Sequence, residues 1–165
     1  MKFTFLISTL ILFFNISAQT SLLKKGEKAP DFEAVEISTR ADKKLSSINS
    51  DYCLVVFYMK SYDILGLKNV YTDYKSKGLK IYAVCICDNC DPEIKRLEDL
   101  KIEWTTVRPW GNAYTKKGNI NKYFIISPRG LSRPVYYLLD KEKITLSDRI
   151  NNYKKLELEL KKAIK

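Results

Sequence analysis

The chain has 165 residues, with 29 Lys and Arg against 19 Asp and Glu, a formal net charge of +10, and no histidine. The missing imidazole excludes histidine-based hydrolase triads and most catalytic zinc sites, because it is the commonest general base and metal ligand. The basic residues run along the whole chain rather than forming a stripe or alternating with aromatics, so they describe a solvated surface with some attraction to anionic surfaces and no nucleic-acid partner.

Residues 1–18 read as a secretory signal peptide. Lys2 gives the positive start, Phe3 to Phe14 an apolar run, and Ile16-Ser17-Ala18 a small-residue cleavage site before Gln19. That run is too short to cross ~30 Å of hydrocarbon, which argues against a permanent membrane anchor. The expected product is a periplasmic or secreted protein of one domain, large enough to bury a core without staples.

Asp31 to Ile37 alternates apolar and charged residues and predicts an edge strand, followed by polar, turn-like residues 38–50. Cys53 to Met59 is continuously apolar, as expected of a strand covered on both faces. Ile64, Leu67, Val70, Tyr71 and Tyr74 then recur at helical spacing and predict a helix over about residues 62–77, ended by Lys77-Gly78. Leu79 to Ile86 is a second buried strand. Asp91-Pro92-Glu93 has the acidic cap and first-turn proline of a helix carrying Ile94, Leu97 and Leu100 inward. Short strands follow at Glu103–Val107 and Val135–Leu139, the latter joined through residues 140–143 to Ile144–Leu146. Tyr153, Leu156, Leu160 and Ile164 mark the core face of a closing helix. Parallel strands joined by right-handed helical crossovers, with an antiparallel edge, make an α/β fold around one mixed sheet.

Gly26-x-x-Ala29-Pro30-x-Phe32, Val55-Val56-Phe57-Tyr58, Lys77-Gly78-Leu-Lys-Ile-Tyr-Ala-Val84 and Arg133-Pro134-Val-Tyr-Tyr-Leu-Leu-Asp140 follow one another in an order that resembles exported thioredoxin-like proteins of the TlpA/ResA type, in their Bacteroidetes branch. The resemblance spans residues 24–165 and implies a thioredoxin-like fold, with flanking helices and an N-terminal extension, in a thiol-disulfide oxidoreductase group. In that family the turn after the Phe57-Tyr58 strand carries Cys-x-x-Cys; here the two positions fall on Tyr62 and Leu65, neither able to attack a disulfide. By the same resemblance Pro134, with Pro128 as competitor, is the cis proline facing the reactive site. Arg133 then stands where substrate backbone is touched, and offers a bidentate anchor to an acidic group.

Four cysteines remain. Cys53 and Cys85 lie near opposite ends of neighbouring strands, too far apart for a disulfide, and Cys53 reads as a buried small hydrophobe. Cys87-Asp-Asn-Cys90 leaves a strand and meets a helix start, where the dipole favours a thiolate while Asp88 and Asp91 oppose it. It reads as a structural disulfide, suited to an oxidising compartment, as a relocated redox pair, or as thiols left unpaired or mispaired. Cys85, Cys87 and Cys90 lack a fourth zinc ligand, so neither a metal nor another cofactor is expected. A peroxiredoxin-type peroxidase would need a cysteine between Lys60 and Leu65, and there is none. Two functions stay open: a redox-inactive or weakly active accessory module that binds periplasmic proteins or peptides, or an active oxidoreductase using Cys87 and Cys90.

Overall fold

The computed structural model describes residues 22–86, 91–109, 123 and 133–165. The signal-peptide residues 1–18, the pair Cys87 and Cys90, and Pro128 lie outside them. Among the described residues are six strands, β1 (Glu33–Glu36), β2 (Asp42–Lys44), β3 (Tyr52–Tyr58), β4 (Leu79–Cys85), β5 (Thr105–Pro109) and β6 (Val135–Asp140), and three α-helices, α1 (Leu67–Tyr74), α2 (Asp91–Asp99) and α3 (Tyr153–Ala163). They form one mixed sheet in the order β2-β1-β5-β4-β3-β6. β4 is parallel to β3 and to β5, β6 is antiparallel to β3, and β1 is antiparallel to both β2 and β5. No helix among the described residues is long and apolar enough to cross a membrane.

The apolar run of β3 is central because it has partners on both sides and cover on both faces. Cys53 through Tyr58 are wholly buried. Alternation then divides the core. Leu54, Val56 and Tyr58 point to the face on which α1, α3 and Leu97 of α2 pack. Cys53, Val55 and Phe57 point to the other, covered by Leu23, Ala29, Phe32, Leu45 and Tyr123. Truncating a Leu such as Leu54 to Ala in a layer of this kind costs roughly 2–5 kcal/mol. The helical stripe of the closing helix is as its spacing predicts, with Leu156 and Leu160 fully buried and Asn152 capping the first turn by accepting from the Lys155 N–H at 2.8 Å.

Three sequence expectations need correction. The strand within residues 31–37 is β1, and it is not an edge. The edge is β2, built from Asp42-Lys43-Lys44 in the stretch read as polar turn; its charges blunt the open ladder, which is why its sequence lacks a strand's apolar signature. The helix expected over residues 62–77 is divided into a 3-10 turn (Ser61–Ile64), α1, and a second 3-10 turn (Lys75–Lys77). Ile144 to Leu146 does not form a full strand; Ile144 and Thr145 make isolated bridges to Lys28 and Leu139, and with Ile150 opposite Tyr136 they cover the outer side of β6.

Gly78 closes the α1 unit in the left-handed region, φ 83°, and an added Cβ there would overlap the Asp51 carboxylate. Both the backbone and the space require glycine. Gly78→Ala is expected to lower unfolding free energy by roughly 1–3 kcal/mol in chemical denaturation, by left-handed strain together with that overlap.

Candidate functional site

β3 and β4 run side by side toward the same end of the sheet, and β6 enters from it. Tyr58 pairs with Cys85, Phe57 pairs with Val135, and the Ile86 N–H donates to the Tyr58 carbonyl at 2.9 Å. The turn after β3, the chain leaving β4 and the Arg133-Pro134 segment before β6 therefore share one end. Crevices beyond the carboxyl ends of parallel strands, where neighbouring connections diverge, are the usual ligand sites of such sheets.

The turn is held from within and from below. The Lys60 N–H donates to Asp63 Oδ2 at 3.3 Å, the Asp63 N–H to the Lys60 carbonyl at 2.9 Å, and the Leu65 N–H to the Tyr62 carbonyl at 3.4 Å. Ser61 and Ile64 are buried and anchor it, while Tyr62 and Leu65 point outward at 57% and 40% exposure. Tyr62 is the more exposed of the two and Leu65 the less, and the 3-10 geometry turns both off the core face. Lys60 Nζ sits 5.5 Å from the Tyr62 ring centroid, a cation–π distance. Beneath, the Tyr153 hydroxyl donates to the Gly66 carbonyl at 2.8 Å, and its ring lies 3.1 Å from where a Cβ on residue 66 would stand. Gly66 interrupts the helical pattern because Tyr153 occupies that space. Sequence reading missed this support, although an isolated glycine inside a helical pattern signals a close approach.

Across the end of the sheet, Arg133 is exposed and Pro134 half-buried, with no ion pair to Arg133 among the described residues. No peptide bond among the described residues is cis, so the expectation of a cis Pro134 is corrected. Trans is the lower state of an X–Pro bond by ~0.5–1 kcal/mol, and a proline opening a strand at the sheet's margin withholds no ladder donor. The position of Pro134 beside the turn stands.

Cys53 and Cys85 are excluded from this site in different ways. Cys53 faces Lys80 across the ladder while Cys85 faces Tyr58, five residues further along, and the two point to opposite faces of the sheet. Burial pushes the Cys53 thiol up to about 12, with Lys143 and Lys80 only partly offsetting it. A thiol so held is neutral near pH 7 and a poor nucleophile. It sits among a group of rings, with Tyr123 edge-on to Phe32 and Tyr137 at 5.5 Å. The Tyr123 hydroxyl donates to the Pro30 carbonyl at 2.6 Å, and the Tyr137 hydroxyl donates to the Tyr123 carbonyl. On the other face, burial and then the Asp63 carboxylate push Tyr136 up to about 12.

No family model and no curated protein matches the chain. Solved structures do. A domain described as a possible thiol-disulfide isomerase from Cytophaga hutchinsonii is 24% identical, with 86% of this chain and 93% of that one covered at a TM-score of 0.69. The thioredoxin domain of a thiol-disulfide oxidoreductase from Bacteroides vulgatus is 20% identical, with 87% and 99% covered and a TM-score of 0.70. The C-terminal domain of an uncharacterized protein from Bacteroides fragilis is 25% identical, with 84% and 97% covered and a TM-score of 0.65. The chain has a thioredoxin-like fold, as its resemblance implied.

Two measurements test the site's geometry. Tyr62→Cys combined with Leu65→Cys is expected to fold with little loss of stability, since both side chains are exposed, and to form a disulfide on oxidation across the three-residue turn. Intact mass with and without reductant reads the pairing; two new thiols that never pair would count against the turn described above. Stability should also fall in alkali. The Cys53 thiol ionises near 9.0 in the unfolded chain and near 12 in the folded one. Its contribution is complete below pH 9 and is progressively lost as pH rises toward 12. Tyr136 and Tyr137, each raised from 10.0 to about 12, act in the same direction. Cys53→Ala is expected to flatten that decline in a denaturation series over pH 8 to 12.

Proposed function

We propose that this chain is an exported thioredoxin-like protein whose reactive-cysteine positions are taken by Tyr62 and Leu65, acting as a redox-inactive or weakly active binding module toward periplasmic proteins or peptides. The observation that carries the reading is the exposed pair itself. Tyr62 and Leu65 stand outward at the carboxyl ends of β3 and β4, on a turn held by Ser61, Ile64 and Tyr153, with no sulfur between Lys60 and Gly66. Disulfide exchange starts with a thiolate attacking sulfur and ends with a second thiol resolving the mixed disulfide; a phenol and an isobutyl group can do neither. They can provide apolar contact. Lys60 and Arg133, both exposed near the same end, favour partners with acidic groups, Arg133 by bidentate pairing. Export rests on the leader-like residues 1–18, and the solved thiol-disulfide proteins of like fold are the reason for placing the module in that functional neighbourhood.

A second reading has its own support. β4 ends beside the Tyr62–Leu65 turn, and Cys87 and Cys90 follow it in sequence before α2 begins. A relocated pair there would make the protein an active oxidoreductase.

Insulin reduction by the purified protein separates the two. The expected rate is at or below a small fraction of that of an ordinary dithiol oxidoreductase assayed alongside. Turnover comparable to that enzyme, abolished by Cys90→Ser and kept by Cys53→Ser, would establish the second reading instead. N-terminal sequencing of the protein recovered from periplasm or culture fluid is expected to begin at Gln19; recovery only as a membrane-bound chain starting at Met1 would overturn the export reading.

A further inference from the structure

The helix-bearing face of the sheet contains a half-open cavity of about 160 Å³ away from the turn after β3. Ile37, Leu97, Ile102 and Trp104 give it apolar walls, and Thr106 of β5 adds a hydroxyl. Glu98 and Lys101, at the end of α2, border it with opposite charges. The framework around it is fixed. The Ile37 N–H donates to the Thr106 carbonyl at 2.8 Å, and Tyr71 packs edge-on to the Trp104 ring at 5.7 Å and 69°. Lys101 holds φ 48°, a left-handed position that glycine takes at less cost, while the Ile102 N–H reaches back to the Leu97 carbonyl at 3.4 Å.

Two polar groups in that wall are unsatisfied. Trp104 and Thr106 are only 7% and 8% exposed, and neither the indole Nε1 nor the Thr106 Oγ1 has a hydrogen-bond partner. Each such group costs about 1–3 kcal/mol when left unmet, and native proteins keep few of them. Trp104, in the bend just before β5, and Thr106, on it, line the same cavity. An indole N–H can only donate and a hydroxyl can donate, so both are met by an acceptor oxygen. Both atoms are sealed from water in the free protein, so a ligand in the cavity would reach them only after a rotation of the threonine side chain and a tilt of the indole. In size the space compares with an engineered cavity of ~150 Å³ that takes up benzene. The two border charges cancel and leave no preference for an ion.

We propose that this cavity binds an uncharged single-ring molecule bearing a carbonyl oxygen, with the ring between Leu97, Ile102 and Ile37 and the oxygen accepting from Trp104 Nε1–H and the Thr106 hydroxyl. The site is separate from the Tyr62–Leu65 turn and does not depend on how that turn functions.

The test uses acetophenone as ligand and ethylbenzene as its counterpart without the oxygen, followed by nitrogen-15 NMR of the indole N–H signals, with Trp110→Phe to assign Trp104. Acetophenone is expected to move the Trp104 N–H proton downfield and to saturate, while ethylbenzene leaves it in place. Thr106→Val should weaken acetophenone binding by roughly tenfold, the loss of one hydrogen bond of ~1.4 kcal/mol. The same variant should raise the melting temperature of the free protein, because it removes an unmet hydroxyl without changing the shape. No saturable shift with acetophenone, or an equal shift with ethylbenzene, would overturn the proposal. A Thr106→Val protein that melts lower would overturn it as well, since the hydroxyl would then already be satisfied.

Discussion

The sheet is organised around β3, a strand that must be satisfied in four directions. Its ladder groups are taken by β4 on one side and β6 on the other, and both its faces are covered. Only a run without charge tolerates that environment, because an unpaired polar group inside it has no water to turn to. Cys53-Leu-Val-Val-Phe-Tyr58 meets the condition, and small thiol chemistry is the cost: a cysteine on this strand is packed as an apolar residue and kept protonated. The strand also decides where chemistry can occur. With its sides and faces occupied, what remains is its ends, and the turn beyond its carboxyl end is where the exposed Tyr62 and Leu65 stand.

That turn is rigid for a reason that lies elsewhere in the chain. Tyr153, the first residue of α3, fills the space above Gly66 and donates to its carbonyl, so the last helix fixes the connection after the third strand. Asp63 closes the turn from the front. A scaffold so supported holds whatever side chains it carries in constant positions, which is useful for exchange chemistry and equally useful for recognition. Here the turn presents a phenol and an isobutyl group, which offer contact and carry no thiol.

How much of this could be read from the sequence depended on whether a signal was local. β3 and β4 were legible because full burial leaves an unbroken apolar run, and α3 because Leu156, Leu160 and Ile164 recur at helical spacing. β2 was not, since Asp42-Lys43-Lys44 is a strand made by its partner and by the need to blunt an edge, with no apolar pattern to announce it. The break between the 3-10 turn and α1 was hidden because Ile64 and Leu67 are both buried and keep helical spacing across it. The cis assignment of Pro134 came from resemblance alone, and the trans bond corrects it. Of the site, Tyr62, Leu65, Arg133 and Pro134 came from the resemblance, and the register of β3 with β4 and β6 sets the segments that carry them toward one end of the sheet, while Gly66 and Tyr153 belong together only in three dimensions. The orphaned groups of Trp104 and Thr106 had no sequence signature at all: a missing partner is a property of packing.

The two ends of α2 connect these regions. The helix begins at Asp91, directly after Cys90 in sequence, and it packs against the Ser61–Ile64 turn. Its last turn supplies Leu97 and Glu98 to the cavity wall, and Lys101 follows immediately. Residues of the same short helix thus touch the turn that presents Tyr62 and Leu65 and line the space that holds two unmet donors. Among the described side chains, α2 buries Leu97 and α3 buries Leu156 and Leu160. Occupancy of the cavity would add contacts to the last turn of α2, and contiguity of this kind is the physical precondition for one site to bias another, though coupling requires two distinct arrangements of the helix and not proximity alone. The fold therefore supports the turn after β3 from two sides, through Tyr153 of α3 and through the packing of α2 against the Ser61–Ile64 turn.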